Sequence, residues 1–466
     1  MTPPDMSAPP PDAGSVPPDA GTTPPEAGAI PSDMGTTPPT VGTVPSDTDN
    51  GSDSDNATPQ NEVMLFDQQA EMALFPGMVE QQPRILAEDS DVPELLPQEE
   101  GALPTLSIIP VLTLGSVTVR LGANYTGVYD TNILLASQSP QRDFAHTLSP
   151  RLSVGLGDYL KAKHNYLAFE YQPQFTFFQR YSQYNAIDQQ LQLDGQYELT
   201  KTVMRGTLAY THSSDPDREL QGRVSRDVLS SEVGATYQQS DRFSYDLDGE
   251  ALIRTFQQGI NSDEGRLKFW TRYAADSIWT VSVGPAVGAL LPEEGDTQLF
   301  AQPWAAVQGK IGTDVNVDLR MGGDFREAQN SGEVMSTPVF DASVRYQPTT
   351  NTTLELSGVR QIFSSPDVVD QDYISTKVTL KASQIFWQTY TVAVEGGFEN
   401  ASYFQFGNDT AGVRSDNYPY TKVEFSYSRF KDLEVSAYYI FRENFSNAVD
   451  SSFSDQQVGV QLRVGY

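Results

Sequence analysis

The sequence predicts an all-β protein. We expect a transmembrane, antiparallel, up-and-down β-barrel of about 18 strands at residues 116–466, preceded by a disordered proline-rich tail. Three observations predict it: apolar and polar residues alternate over long stretches, short and long connections alternate between those stretches, and no run of 18 or more apolar residues occurs. On an extended strand, such alternation places apolar side chains on one face and polar side chains on the other.

The alternating stretches are longer than the strands of an ordinary soluble sheet. Ile311 to Gly322 alternate throughout, and so do Phe243 to Arg254. A usual strand has about five or six residues, whereas crossing the hydrocarbon layer at a tilt needs about 9–11. A solvated antiparallel sheet would also alternate, so the length of the stretches is what favours a membrane barrel.

The connections between these stretches predict the topology. Short connections are expected near 158–163, 200–201, 240–241, 276–277, 309–310, 348–350, 384–385 and 429–431. Longer ones are expected near 135–142, 180–184, 213–226, 257–262, 291–296, 326–335, 364–371, 403–415 and 444–452. The alternation gives nine hairpins, with short periplasmic turns and longer external loops as in outer-membrane barrels.

Four prolines disturb the predicted strands. Pro150, Pro173, Pro285 and Pro303 fall inside them, where proline cannot donate to the ladder of hydrogen bonds. Pro150 and Pro173 would lie at similar heights on neighbouring strands. The prolines therefore indicate either a shared local bend or a miscount of one or two strands.

The polar phase of the strands predicts the residues that line the lumen. The candidates are Arg266, Lys268, Arg272, Asp246, Asp248, Glu250, Asp314, Asp318, Arg320, Lys377 and Lys381. Charges inside a membrane structure require water or partners, so both signs in quantity predict a wet lumen with ion pairs between strands. The bases could instead screen anions, as charged rings do in pores. We expect the acids at 246, 248 and 250 to neutralise the bases at 266, 268 and 272, and it is equally open that all these charges only stabilise the wall.

The last strand is predicted to be an assembly signal. Val458, Val460, Leu462, Val464 and Tyr466 occupy every second position, and the sequence closes on the aromatic residue. A terminal strand of this kind resembles the signal that directs bacterial outer-membrane barrels to the barrel-assembly machinery. We therefore expect outer-membrane lipid and that machinery as partners. The alternative is an edge strand of a soluble β-sandwich.

Residues 1–60 are predicted to be a disordered tail built on a heptapeptide repeat rich in proline, glycine and aspartate. Proline recurs at Pro3, Pro10, Pro17, Pro24, Pro31, Pro38 and Pro45. Proline in every unit breaks a helix, and a stretch without aromatic residues buries too little surface to fold. We expect a semi-rigid spacer in the periplasm that reaches periplasmic or cell-wall components, with a specific proline-binding partner as a further possibility.

Residues 61–115 are predicted to be an acidic linker. Within it, the apolar patch at 63–75 is either one short amphipathic helix that docks at the barrel or a weakly ordered part of the linker. A barrel must cross the inner membrane, so we also expect a secretory signal. The residues after Met1 show neither a basic n-region nor an apolar h-region, so the start lies upstream or the signal was removed.

Composition excludes several function classes. The net charge of −31 argues against nucleic acid as a partner, because phosphate binding needs a basic surface. The absence of cysteine excludes disulfides and thiolate metal sites. The three histidines, His146, His164 and His212, lie on different predicted strands without a Ser–His–Asp grouping or a metal-binding spacing. We therefore expect no enzyme, no metal and no cofactor, and we expect the histidines to be exposed to solvent.

The beginning of the predicted barrel resembles a bacterial family. Tyr129-Asp130-Thr131-Asn132-Ile133, followed by Thr147-Leu148-Ser149-Pro150 and Leu152, is similar to the family of putative β-barrel porins, some of which are associated with exopolysaccharide production. The resemblance covers about 40 residues closely and the remainder only in general texture. It implies an outer-membrane location. Three functions follow as alternatives: a water-filled pore for small hydrophilic solutes, a barrel for exopolysaccharide export or secretion, and a non-conducting structural or adhesive barrel.

Overall fold

The protein forms a closed antiparallel β-barrel of 18 strands, as the sequence predicts. The computed structural model describes residues 111–157, 164–406, 414–430 and 433–465. The barrel strands are β1 (Val117–Asp130), β2 (Asp143–Gly157), β3 (Tyr166–Phe178), β4 (Ala186–Glu198), β5 (Thr202–Ser213), β6 (Arg226–Gln238), β7 (Phe243–Phe256), β8 (Ser262–Ala274), β9 (Thr280–Pro292), β10 (Gln298–Ile311), β11 (Val315–Ala328), β12 (Val334–Thr349), β13 (Thr352–Ser364), β14 (Gln371–Phe386), β15 (Tyr390–Gln405), β16 (Ser415–Phe430), β17 (Leu433–Ser446) and β18 (Phe453–Val464).

Each strand pairs with its neighbours in the chain, and the first and last strands close the ring. The closing ladder between β1 and β18 runs from Ala123 opposite Val464 to Asp130 opposite Gln457. A short strand, Leu112–Leu114, also pairs with the start of β1. The predicted tail (1–60), most of the predicted linker (61–110), the connection at 158–163 and Tyr466 lie outside the described residues.

The connections alternate between the two ends of the barrel, as predicted. One end carries the turns 199–201, 239–242, 275–279, 312–314, 350–351 and 387–389. The other end carries the connections 131–142, 179–185, 214–225, 257–261, 293–297, 329–333, 365–370 and 447–452, whereas residues 407–413 lie outside the described residues. Two of the expected turns lie about three residues too early in the sequence.

The two displaced turns have a common cause in backbone conformation. The turn expected at 309–310 lies at 312–314, where Gly312 takes a positive φ of 65°. The turn expected at 384–385 lies at 387–389, where Trp387 and Gln388 have φ of 50° and 58°. Residues other than glycine rarely take this conformation, so composition does not mark the second turn.

The prolines lie in the hydrogen-bond ladders without changing the number of strands. Pro285 and Pro303 are direct partners on β9 and β10. The ladder between β2 and β3 passes from Leu148–Phe175 to Leu152–Tyr171, which leaves out the positions around Pro150 and Pro173. The count of 18 strands is therefore correct, and the ladders are interrupted because proline supplies no N–H to them.

The outer face of the wall is apolar and the inner face is polar. On β7 and β8, Leu247, Leu267 and Phe269 are exposed on the outside, whereas Asp246 on the inner face is completely buried. Buried apolar side chains among the described residues form small clusters near the end with the longer connections. Among the same residues, no helix is both long enough and apolar enough to span a membrane.

Candidate functional site in the barrel lumen

Ion pairs between neighbouring strands line the lumen at β7 and β8. Lys268 Nζ lies 2.6 Å from Glu250 Oε1, and Arg272 contacts Asp246. Arg266 also reaches Glu250, at 3.8 Å. These are the acids that the sequence analysis expects to neutralise the row of bases.

Two further acids complete this charge network. Asp248 pairs with Arg205 of β5 at 2.8 Å. Arg266 Nη2 lies 2.7 Å from Glu264 on its own strand. The strand register places bases opposite acids on one face of the wall. The alternation of the sequence does not reveal that Arg205 is a partner of Asp248.

The predicted lumen residues of β11 form a second group. Arg320 lies 3.5 Å from Asp318 and 3.9 Å from Asp341 of β12. Asp318 also accepts a hydrogen bond from Gln308 Nε2 at 2.8 Å. The prediction for Asp314 is wrong, because this residue lies exposed in the turn 312–314.

Lys377 and Lys381 share the inner face of β14 but lie at different heights. Lys377 is opposite Glu399, and its Nζ lies 5.4 Å from the centre of the Tyr420 ring. Tyr420 in turn donates to Glu395, which is the register partner of Lys381. Lys381 is the more exposed of the two lysines, so Lys377 belongs to the packed wall and Lys381 faces open space.

The connection 214–225, which we call the constriction loop, folds into the lumen. The sequence analysis treats it as an external loop and does not predict that it folds inwards. Arg218, which is only 7% exposed, forms an ion pair of 3.1 Å with Glu399 of β15, nearly opposite in the ring of strands. Its guanidinium also lies 5.3 Å from the centre of the Tyr418 ring. The loop therefore crosses the barrel interior.

A second contact of the constriction loop involves a protonatable acid. Glu219 accepts a hydrogen bond of 2.6 Å from Ser365 Oγ in the connection between β13 and β14. Burial, with the charge of Asp217 beside it, raises the pKa of Glu219 to about 7. Asp217 itself pairs with Arg226 at 3.3 Å. Protonation of Glu219 therefore favours the docked loop.

The connection 131–142 also packs on the barrel interior. Leu135 is buried against Tyr418 and Phe453, and Ile133 is buried in a neighbouring cluster. Apolar residues in a connection need such a partner, because leaving them in water costs about 1.5–3 kcal/mol per side chain. Two connections thus narrow the same end of the lumen.

The structure brings together a serine, a histidine and an aspartate that the sequence analysis did not group. His212 Nδ1 lies 2.9 Å from Asp227 Oδ1, and Ser225 Oγ lies 3.5 Å from His212 Nε2. The Asp227 side chain is 45% exposed, and the Ser–His separation exceeds the ~2.6–3.2 Å of a nucleophile with its base. The geometry is that of polar contacts at the barrel rim.

The remaining site predictions concern metals and assembly. Among the described residues, no group of three or more His, Cys, Asp or Glu side chains is placed to hold a metal ion. Val458 and Leu462 of β18 face outwards and are 56% and 38% exposed. These two residues are therefore part of the apolar outer face, which suits contact with lipid.

The sequence model of one family, described as Putative beta-barrel porin 2, matches residues 329–466. The closed ring of 18 strands is a β-barrel, and its last seven strands are similar to this family. The match covers β12 to β18 and thus a different part of the chain from the residues at 129–152 that resemble the same kind of protein.

Solved structures similar to the chain include those of three proteins from Pseudomonas aeruginosa. OccK11 (OpdR) has a TM-score of 0.42 and 10% identity, over 75% of this chain and 96% of that chain. OpdK with vanillate has a TM-score of 0.42 and 8% identity, over 75% and 99%. OccK2 (OpdF) in complex with glucuronate has a TM-score of 0.44 and 8% identity, over 76% and 99%. No curated protein matches the chain.

Proposed function

We propose that the barrel is a water-filled, porin-like channel for the passive passage of small hydrophilic solutes across the outer membrane. The observation that supports this proposal is the polar inner face of a closed ring of 18 strands. Barrels of 16–18 strands enclose an aqueous channel, and charged side chains in a membrane persist where water or partners solvate them.

The constriction loop sets the size of the solute in this proposal. Because Arg218 and Glu219 tie the loop to the far side of the ring, a small solute must pass beside it. A polymer would have to displace it. The inward loop therefore favours small solutes over exopolysaccharide export, and we do not propose passage of a polymer.

We also propose where the two ends of the chain lie and what they contact. Residues 1–60 lie in the periplasm and reach periplasmic or cell-wall components, because an even number of strands places both ends of a barrel on one side. The strand Val458 to Tyr466 is recognised by the barrel-assembly machinery. The channel carries out no catalysis and binds no nucleic acid.

Single-channel recording in a planar bilayer tests the proposal. Purified protein should give stepwise, ohmic conductance. Its ion selectivity should be weak, since acids and bases in the lumen face each other within roughly a Debye length. An electrically silent barrel would overturn the channel and favour a structural or adhesive role. The control is heat-denatured protein added at the same concentration.

A further inference from the structure

The ladder between β12 and β13 ends early, at the end of the barrel that carries the longer connections. The ladder between them ends at the pair Phe340–Arg360. On either side the ladders continue further: β11 and β12 pair up to Glu327–Val334, and β13 and β14 pair up to Ser364–Asp372. Residues 334–339 therefore remain paired with β11, and residues 361–364 remain paired with β14. We call the place where these two segments are not paired with each other the lateral seam.

The tip of the β13–β14 hairpin makes its contacts across the mouth of the barrel. Pro366 O accepts from Ile260 N of the β7–β8 connection at 2.8 Å, and Asp370 Oδ1 accepts from Asp296 N at 2.6 Å. Ser365 donates to Glu219 of the constriction loop. The hairpin tip thus helps to cover the mouth of the barrel, and β13, the first strand of this hairpin, is no longer paired with β12 near the tip.

Arg360 lies across the lateral seam. Its register partners, Phe340 and Thr376, place it on the outer face of the wall. The guanidinium donates to Pro338 O at 3.1 Å on the far side of the seam and to Thr376 Oγ1 at 2.6 Å. Pro338 cannot donate to a ladder, and its carbonyl accepts from this side chain.

A pocket connects the lumen with the lateral seam. Its lining includes Lys268 and Arg320 from the inner face, and Phe340, Arg360 and Ile362 from the outer face of the wall. Open strand edges are costly in hydrocarbon and are tolerated only beside protein or a water-filled cavity. The pocket lies beside the unpaired edges of β12 and β13, so these edges border a cavity at this place.

We propose that the lateral seam is a portal through which an anionic, single-chain amphiphile passes between the lumen and the outer leaflet. The charge of the amphiphile lies at Arg360, and its alkyl chain lies beside Phe340 and Ile362 in the seam. The hydrogen bonds of Arg360 go to neutral oxygens, so its charge attracts an anion. This route adds a second class of cargo to the proposed channel and uses its lumen.

Binding of a brominated dodecanoate tests the portal. Trp270 and Trp304 line the pocket, so bromine bound there should quench tryptophan fluorescence of the purified protein. The Arg360→Gln variant should bind about tenfold more weakly, which is the size expected for one charge-assisted hydrogen bond. Unchanged quenching in this variant would overturn the assignment of Arg360.

Two single-cysteine variants provide the matched control, because the chain contains no cysteine. Gln361→Cys places the thiol at the lateral seam. Ser357→Cys places it four residues earlier on the same face of the same strand, where the backbone is paired on both sides, with Ser343 and Thr379. A bulky maleimide at 361 should abolish quenching, and the same label at 357 should leave it unchanged. Equal quenching in both labelled proteins would overturn the portal. Displacement of the brominated dodecanoate by acetate at the same concentration would also overturn it.

Conductance of the unlabelled protein is recorded separately from quenching. Quenching without stepwise conductance would refute the aqueous channel and support the portal. Conductance without quenching would support the channel and refute the portal.

Discussion

The wall and the constriction loop are stabilised in different ways. In the wall, β7 and β8 pair along almost their whole length, and the charges on their inner face meet on neighbouring strands. The constriction loop is fixed by side chains of distant strands, above all by Glu399. A ladder distributes its stabilisation over many hydrogen bonds, whereas the loop concentrates it in a few contacts. The wall should therefore tolerate single polar changes on its inner face, and the loop should not.

The largest effect is expected on the outer face of the wall. Leu462→Asp combined with Val464→Asp should prevent membrane insertion, because a charge on the lipid face costs about 2–4 kcal/mol at depth. Heat-modifiable migration on a gel measures insertion. The matched variant Gln461→Asp changes the inner face of the same strand and should insert normally. Normal insertion of the double variant would mean that this face does not meet lipid.

The second effect concerns the anchor of the constriction loop. Arg218→Ala removes the ion pair with Glu399, and removing one member of a buried ion pair costs about 3–5 kcal/mol. The loop should leave the lumen, and single-channel conductance should rise roughly twofold or more as the path widens. Arg242→Ala, in an exposed turn at the other end, serves as the control. Equal conductance in both variants would contradict a loop that restricts the lumen.

A smaller effect is expected from pH. The docked constriction loop holds Glu219 with a pKa raised to about 7 from an ordinary value of 4.5, so it binds a proton more tightly than the free loop. Docking is therefore strongest below pH 4.5 and weakens as the pH rises through 7.

Conductance against pH measures this change. The mean conductance of the protein should increase between pH 5 and pH 8 as the loop undocks. Glu219→Gln, which keeps the hydrogen-bonding shape without the charge, should remove most of this increase. The same pH profile in both proteins would assign the change to other groups.

The smallest effect is expected from the tail. Removing residues 1–100 should leave single-channel conductance unchanged if the tail only spans the periplasm. An increase would instead mean that the apolar patch at 63–75 obstructs the barrel. The comparison requires the two proteins in the same bilayer at the same salt concentration, since salt sets the conductance of an aqueous pore.

Much of the site could be predicted from sequence, and the exceptions have physical causes. Asp246, Lys268 and Arg320 fall on the inner face because side chains alternate along any strand. Asp314 was misplaced because the alternation continues through the turn at 312–314, where Gly312 reverses the chain. The sequence contains only a weak signal that the constriction loop folds inwards. A connection rich in charges of both signs, with Arg218 and Glu219 adjacent, is compatible with contact to solvent as well as with contact to the barrel wall.

The sequence by itself determined the wall: its strand count, the alternation of its connections, and which face of each strand is polar. These properties follow from the period of two along a strand, which depends only on neighbouring residues. Only the tertiary structure decided where the constriction loop lies, which acid Arg218 meets and where the ladder between β12 and β13 ends. Those features depend on residues far apart in the chain, and their positions are set only when the ring of strands has closed.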